Sequence, residues 1–170
     1  MREELPDPNT HKKTNKPELE ISTLKRREIQ SPLIAGLLAG FISEIGYERT
    51  MEVASAAIQA DALRVGKAMA EKYGGNTIEV LHRVIRDVWA EEDAIEFSAL
   101  EETDQRLGFN VTRCRYAEMY DRLGLKEFGF CLSCNRDASL IKGFNPRMQL
   151  VRTRTIMQGA EICDFRIVVE

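Results

Sequence analysis

The segment FCLSCNRD sets Cys131 and Cys134 three positions apart, with Asp137 three beyond the second cysteine. Three chemistries use that spacing: half of a zinc site, a redox pair, or a nucleophilic thiol beside a carboxylate. Zinc needs a second ligand pair, yet Cys114 and Cys163 belong to no other C-x-x-C, and the only histidines are His11 and His82. A set drawn from Cys114, Cys131 or Cys134, and Cys163 has no supporting spacing, so no metal is expected. A thioredoxin-like pair normally sits between a strand and a helix start, whereas this one follows Phe128-Gly129-Phe130 inside a helical stretch. The nucleophile therefore ranks first, metal second and redox last. On a helix, Cys134, Asp137 and Ile141 share one face, and Cys131 lies one turn from Cys134.

Free cysteine is also among the residues most often buried as plain core. That is the better reading of Cys131, and locally of Cys163, which shares a strand face with Phe165, Ile167 and Val169. Asp164 and Arg166 project from the other face. Cys114 closes the strand FNVTRC on the polar side, with Asn110 and Thr112, opposite Leu107, Phe109 and Val111. Such a face lines a cavity or meets water. In QLVRTRTIMQG, Arg152 and Arg154 alternate with Thr153 and Thr155, which reads either as a charged strand edge or as a carboxylate clamp, since the guanidinium fork matches a carboxylate. His82, among apolar helix neighbours, is read as structural.

The elements that must position these residues follow from the periodicity. Residues 1–18 are polar and aperiodic and are read as a mobile arm, leaving 19–170 as one domain. A charged helical segment spans about Leu19 to Gln30. Ser31-Pro32 then reads as a cap and first-turn proline for a helix with an apolar stripe of Leu33, Ile34, Leu37, Leu38, Phe41, Ile42 and Ile45. Its small residues Ala35, Gly36, Ala39 and Gly40 would let it pack closely, even against a copy of itself. A second helix runs from about Tyr47 to Tyr73, stopped by Gly74-Gly75, and Asn76 with Glu79 resembles a capping box for a third, with Trp89 beside its buried face. After Asp93 the period becomes two, giving a hairpin around EETDQRLG. Two helices follow, YAEMYDRLG and KEFGFCLSCNRDASLIKG, and then two strands, about Arg147–Met157 and Ile162–Val169. The pattern predicts an α+β domain, its amino-terminal helices packed on a mainly antiparallel sheet formed by two hairpins with two helices between them.

Net charge is −3, 44% of residues are hydrophobic and 30% are charged. Nothing here favours nucleic acid or an anionic membrane surface as partner. No apolar run reaches the ~18 residues of a membrane span, and the start has no signal-peptide core, so a cytoplasmic protein with reduced thiols is expected.

The order FNVTRCRYAEMYDRLG, then CNRD, then FNPRMQLVRTRTIMQGAEICDF resembles the L-2-amino-thiazoline-4-carboxylic acid hydrolase family. The resemblance runs from about Leu24 to Ile167, with its specific motifs beyond Phe109: strand-end Cys114, the C-x-x-D of Cys134 and Asp137, and R-T-x-T…G…C-D-F through Phe165. Cys131 is outside that motif. A shorter likeness, GAEICDFRI, is to the end of 4-vinyl reductase-type ligand-binding domains. The first family implies opening of a cyclic isothiourea to an N-carbamoyl-L-cysteine, with a carboxylate-bearing small molecule as substrate and no cofactor. On that basis Cys134 attacks the sp2 ring carbon as a thiolate whose pKa a cationic neighbour lowers, with Asp137 as orienter or proton shuttle. Arg154 holds the carboxylate, Asp164 pairs with the amidinium-like ring, and Thr155 and Asn110 donate hydrogen bonds. Cys114 and Cys163 are expected beside Cys134 at one cavity. A metal-dependent hydrolase using the same cysteines and a non-catalytic small-acid sensor are the alternatives.

Overall fold

Ser22 caps the first helix, its Oγ accepting the Lys25 amide at 3.3 Å. In the computed structural model, which describes residues 21–170, this helix, α1 (Thr23–Ile45), runs unbroken through Pro32. The expected arm lies outside the described residues. Ser31-Pro32 is thus not a helix start. Proline removes only its own amide, and Ser31 ties the turn down, bonding the Arg27 carbonyl at 2.6 Å and the Tyr120 hydroxyl at 3.1 Å. The consequence reaches the site, because α1 begins two turns earlier and carries Arg27 inward. The apolar stripe splits as well. Ala35 and Leu38 are buried, whereas Leu33, Leu37, Phe41 and Ile45 are exposed.

α2 (Tyr47–Tyr73) ends at Gly74, whose left-handed φ of 74° suits glycine. α3 (Ile78–Val84) is capped by Thr77 rather than Asn76, through a 3.3 Å bond from the Val80 amide. It continues into a π turn, Ile85–Trp89, and a 3₁₀ turn, Glu91–Asp93. β1 (Ile95–Glu102) and β2 (Arg106–Cys114) form the first hairpin; β3 (Met148–Val151) and β4 (Cys163–Val169) form the second. The sheet order β1-β2-β4-β3 is antiparallel throughout, with Val111 opposite Cys163 and Phe109 opposite Phe165. The α+β architecture is as expected. One core lies between this sheet and α3 with its π turn, centred on Phe109, Leu81 and Ile85, and a second joins α1 to α4 (Arg115–Arg122) and α5 (Lys126–Leu132).

Two local readings change. KEFGFCLSCNRDASLIKG is not one helix: α5 stops at Ser133 (φ −120°, ψ −74°), a 3₁₀ turn holds Cys134–Arg136, and α6 (Asp137–Phe144) follows. The break turns Cys131 into the core beside Ser55, 4% exposed, while Cys134 faces the other way. Nor does Gly143 end its helix. Gly143 and Gly66 are where α6 and α2 cross: a Cβ on Gly66 would sit 2.0 Å from the Leu140 carbonyl oxygen, and one on Gly143 2.0 Å from that of Leu63. Backbone cannot yield as a side chain can. Gly66→Ala or Gly143→Ala is therefore expected to destabilise by at least the ~1–3 kcal/mol typical of overpacking, read as a lower urea midpoint.

Candidate functional site

α1, α2, α6, the π turn and the sheet enclose a cavity of about 540 Å³. Its sheet wall carries Ile95, Val111, Cys114, Cys163 and Phe165, and the facing helices contribute Arg27, Asp61, Val65, Met69, Trp89, Tyr116 and Leu140. Cys134, Arg136, Asp137 and Arg152 line it too, as do Arg26, Gln30 and Arg64. Cys114, Cys134 and Cys163 thus line one space, and Cys131 does not.

Local sequence explains how Cys134 and Asp137 arrive together. The 3₁₀ turn holding Cys134 is pinned to α2 by Gln59, whose Nε2 donates to Asn135 Oδ1 at 2.8 Å. It runs straight into α6, keeping Cys134 and Asp137 three residues apart on one side. Arg152 clamps both: Nη1 donates to Asp137 Oδ2, and Nη2 donates to the Cys134 carbonyl at 3.0 Å. Its guanidinium also lies 5.0 Å over the Phe165 ring, a cation–π contact. Arg136 makes a parallel clamp on Asp61 at 2.7 Å.

Arg152 is the arginine the sequence reading passed over in favour of Arg154. Continued strand alternation would have put the two on one face, but β3 ends at Val151. There the Asp164 carboxylate draws the chain off the sheet, accepting the amides of Thr153 at 3.0 Å and Arg154 at 2.9 Å and the Thr153 hydroxyl at 2.6 Å. Arg152 turns inward, 10% exposed, and Arg154 outward, 59% exposed, with Nε 3.7 Å from Asp164. Asp164 is therefore a loop brace away from the cavity. Burial pushes its pKa up, but the Thr153 hydroxyl and the two amides outweigh that and hold it at about 2. A depressed carboxylate contributes stability above its unfolded pKa, ~3.9, which is lost as pH falls through about 2. Asp164→Ala should lower the melting temperature at neutral pH, with a smaller difference in strong acid and unchanged kcat/KM.

Asn110 and Thr155 also lie outside the cavity. Asn110 Oδ1 accepts from Arg166 Nη2 at 3.0 Å on the far face of the sheet. Thr155 is buried and caps the 3₁₀ turn Ile156–Gln158, its Oγ1 accepting the Gln158 amide at 3.2 Å. His82 bonds Glu102 at 2.7 Å and meets the edge of Phe97, away from the site.

The electrostatics run against a resting thiolate. Burial, and then the Asp137 charge, push the Cys134 thiol far above its ordinary value despite Arg152. Burial lifts Cys114 to about 11 against the pull of the Ala117 and Tyr116 amides. Burial likewise raises Cys163, whose Sγ accepts the Ile156 amide at 3.2 Å. All three thiols rest neutral at neutral pH. Asp137 is raised to about 6 by burial, with the Arg152 charge and hydrogen bond holding it down from a higher value. Its side chain keeps 21% exposure and lines the cavity.

Arg27 gave no signal in the sequence beyond its charge. It is half-buried at the cavity wall and makes no ion pair among the described residues, and its pKa is lowered by burial and then by the Arg136 charge. Among those residues no three His, Cys, Asp or Glu side chains form a metal-holding group, and no helix is long and apolar enough to cross a membrane.

Fold and site together define an α+β domain built around an internal cavity with an Asp–Arg pair and three thiols in its wall. The chain belongs to the L-2-amino-thiazoline-4-carboxylic acid hydrolase family, matched over residues 26–167. A solved structure from Naegleria fowleri, a trafficking protein particle complex subunit 3 covalently bound to palmitic acid, shares the fold with TM-score 0.51 and 11% identity, covering 84% of this chain and 96% of that one. At that identity the likeness concerns fold alone. No curated protein matches the sequence. Family membership supports a hydrolase of this general kind.

Proposed function

We propose that the protein opens a small carboxylate-bearing cyclic amidine or isothiourea, with attack at the ring carbon of the C=N bond by Cys134. The observation that carries this is the clamp of Arg152 on both the Asp137 carboxylate and the Cys134 backbone at the cavity wall. Because the thiol rests neutral, attack and deprotonation belong to one step: Sγ bonds to the ring carbon as its proton passes to Asp137. The C=N electron pair moves to nitrogen, which takes a proton from water. Collapse then breaks the ring carbon–sulfur bond (in a cyclic amidine, a ring carbon–nitrogen bond), and the ring heteroatom leaves with the proton from Asp137. Water next adds to the enzyme-bound carbon, giving one proton to Asp137 and the other to solvent. Sγ departs as the thiol with the proton from Asp137, leaving a carbamoyl or amide group on nitrogen. Cys114 and Cys163 keep this part of the wall thiol-lined, and no cofactor is required.

For the substrate carboxylate, the reading moves from Arg154 to Arg27. An anion beside Arg27 would relieve both its desolvation and its repulsion from Arg136, the two effects that lower its pKa. Lysine keeps the charge but loses the planar fork. Arg27→Lys is accordingly expected to raise KM ~10-fold or more with kcat little changed, a loss of uniform binding. The reaction class is tested by offering thiazolines, cyclic amidines and hydantoins and following the ring-opened mass. Ring opening of the first two classes supports the reading, and no turnover of any contradicts it. The neutral thiols favour one second reading, a domain that binds a small acid without turnover; saturable binding with no product would establish it.

A further inference from the structure

Asp137 with Arg152 and Asp61 with Arg136 form two ion pairs in the cavity wall, and Arg26, Arg27 and Arg64 line it as well. Along α2, Asp61, Val65 and Met69 follow one another on the same face, so Met69 lies ~12 Å from Asp61 along the helix. At the sheet, the Arg152 guanidinium covers Phe165, whose ring centroid is 6.0 Å from that of Trp89. Beside that aromatic step the lining includes the apolar side chains Val65, Met69, Val88, Trp89, Ile95 and Val111. Val88 and Trp89 are delivered by the π turn, a rare backbone form that recurs at functional sites. The cavity, about 540 Å³, has room for roughly 18 waters at their liquid volume. A five-membered ring with one carboxylate fills only a fraction of it, leaving water against apolar walls, which is unfavourable.

We propose that the ligand of this site is amphipathic, an acidic ring head held at the Arg27–Asp137–Arg152 end with an apolar alkyl or aryl substituent lying between Met69, Val88 and Trp89. The inference rests on the proposed reading for its head group, but its test does not require turnover. Trp89 is the sole tryptophan of the chain, so its fluorescence reports occupancy directly. Titration with straight-chain monocarboxylates from acetate to decanoate should show affinity rising ~fourfold per methylene, the fold-change that corresponds to ~0.8 kcal/mol, until the apolar end is full. Val65→Phe, which shortens that end, should flatten the rise while short acids still bind. A flat series in the wild type, or no binding of any acid, overturns the proposal. A steep series with no ring opening in the substrate panel leaves the amphipathic ligand standing and defeats the hydrolase reading. Ring opening with a flat series does the reverse.

A second inference has an independent basis. On the outer face of α1, Ile29, Leu33, Leu37, Phe41 and Ile45 are each more than half exposed. Gly36 and Gly40 open onto empty space between them. Five such side chains in a row approach the ~300–600 Å² of the largest apolar patches on typical monomers, which are often functional. Arg26, exposed at the rim of the cavity, lies at one end of this face and Glu44 at the other, and neither is paired among the described residues. We infer that a second copy covers the face, with the two α1 helices antiparallel. Leu33 then meets the partner's Leu37, Ile29 the partner's Phe41, and Arg26 the partner's Glu44. Light scattering should give twice the 19.3 kDa chain mass at micromolar concentration. Leu33→Glu should weaken association ~100-fold or more by burying an unpaired carboxylate. Glu44→Arg should weaken it less and be rescued by Arg26→Glu in the same chain. A monomeric wild type, or a dimer indifferent to Leu33→Glu, overturns the inference; a Glu44→Arg defect that Arg26→Glu does not rescue overturns the antiparallel register.

Discussion

Asp137→Asn is expected to lower kcat/KM for ring opening of the cyclic substrate by ~10²–10⁴-fold, the range of a lost general base, and to abolish the acid limb of the pH profile. Asp137 lies on the cavity wall and is raised to about 6, mainly by burial, with Arg152 opposing. It accepts a proton only when ionised, so kcat/KM of the wild type should climb as pH rises through about 6 and level off above it. Stability carries the opposite sign. The folded pKa lies above the unfolded ~3.9, so the folded state holds this proton more tightly. The contribution is full below ~4 and is lost as pH rises through about 6. Asparagine has no such titration, and a variant that stays folded should lack both the activity limb and this component of the stability profile. Retention of the acid limb in Asp137→Asn would assign it to another group.

How much of this was legible in the residues can be argued from particular cases. Cys134 and Asp137 were paired correctly on the wall because a three-residue spacing brings two side chains to one side in a 3₁₀ turn as in an α-helix, so the unforeseen break at Ser133 did no harm. Strand alternation put Arg152 and Arg154 on one face, whereas the structure turns the first inward and the second outward. What ends the alternation is the Asp164 carboxylate capturing two amides, a side-chain event that no period records. Arg27 lay in the charged segment Leu19–Gln30, read apart from the next helix; the start signal at Ser31-Pro32 between them is overridden by the Ser31–Tyr120 bond and packing against α4. Trp89 and Met69 carry ordinary core periodicity. That a space lies between them follows only from the assembled elements, with the π turn placing Trp89 on the cavity wall. The thiol pKa could not be read from neighbours in sequence, because burial depends on every element that closes the cavity, and it outweighs Arg152.

The neutral state of Cys134 has its own signature. Iodoacetamide should modify it slowly at neutral pH, with a rate still climbing above the ordinary thiol range, ~8.5, and occupied protein should be protected. Cys131, packed on Ser55, is expected to tolerate serine with near-normal turnover and a modest loss of stability from the buried hydroxyl. The direct measurement is kcat/KM for Cys134→Ser against wild type on a cyclic substrate that the wild type opens, with the fold checked by circular dichroism. Serine is close in size but a far weaker nucleophile in this site, and the predicted result is a folded protein reduced ~10³-fold or more. A folded Cys134→Ser protein with undiminished kcat/KM would contradict the account and leave Asp137 acting on water alone.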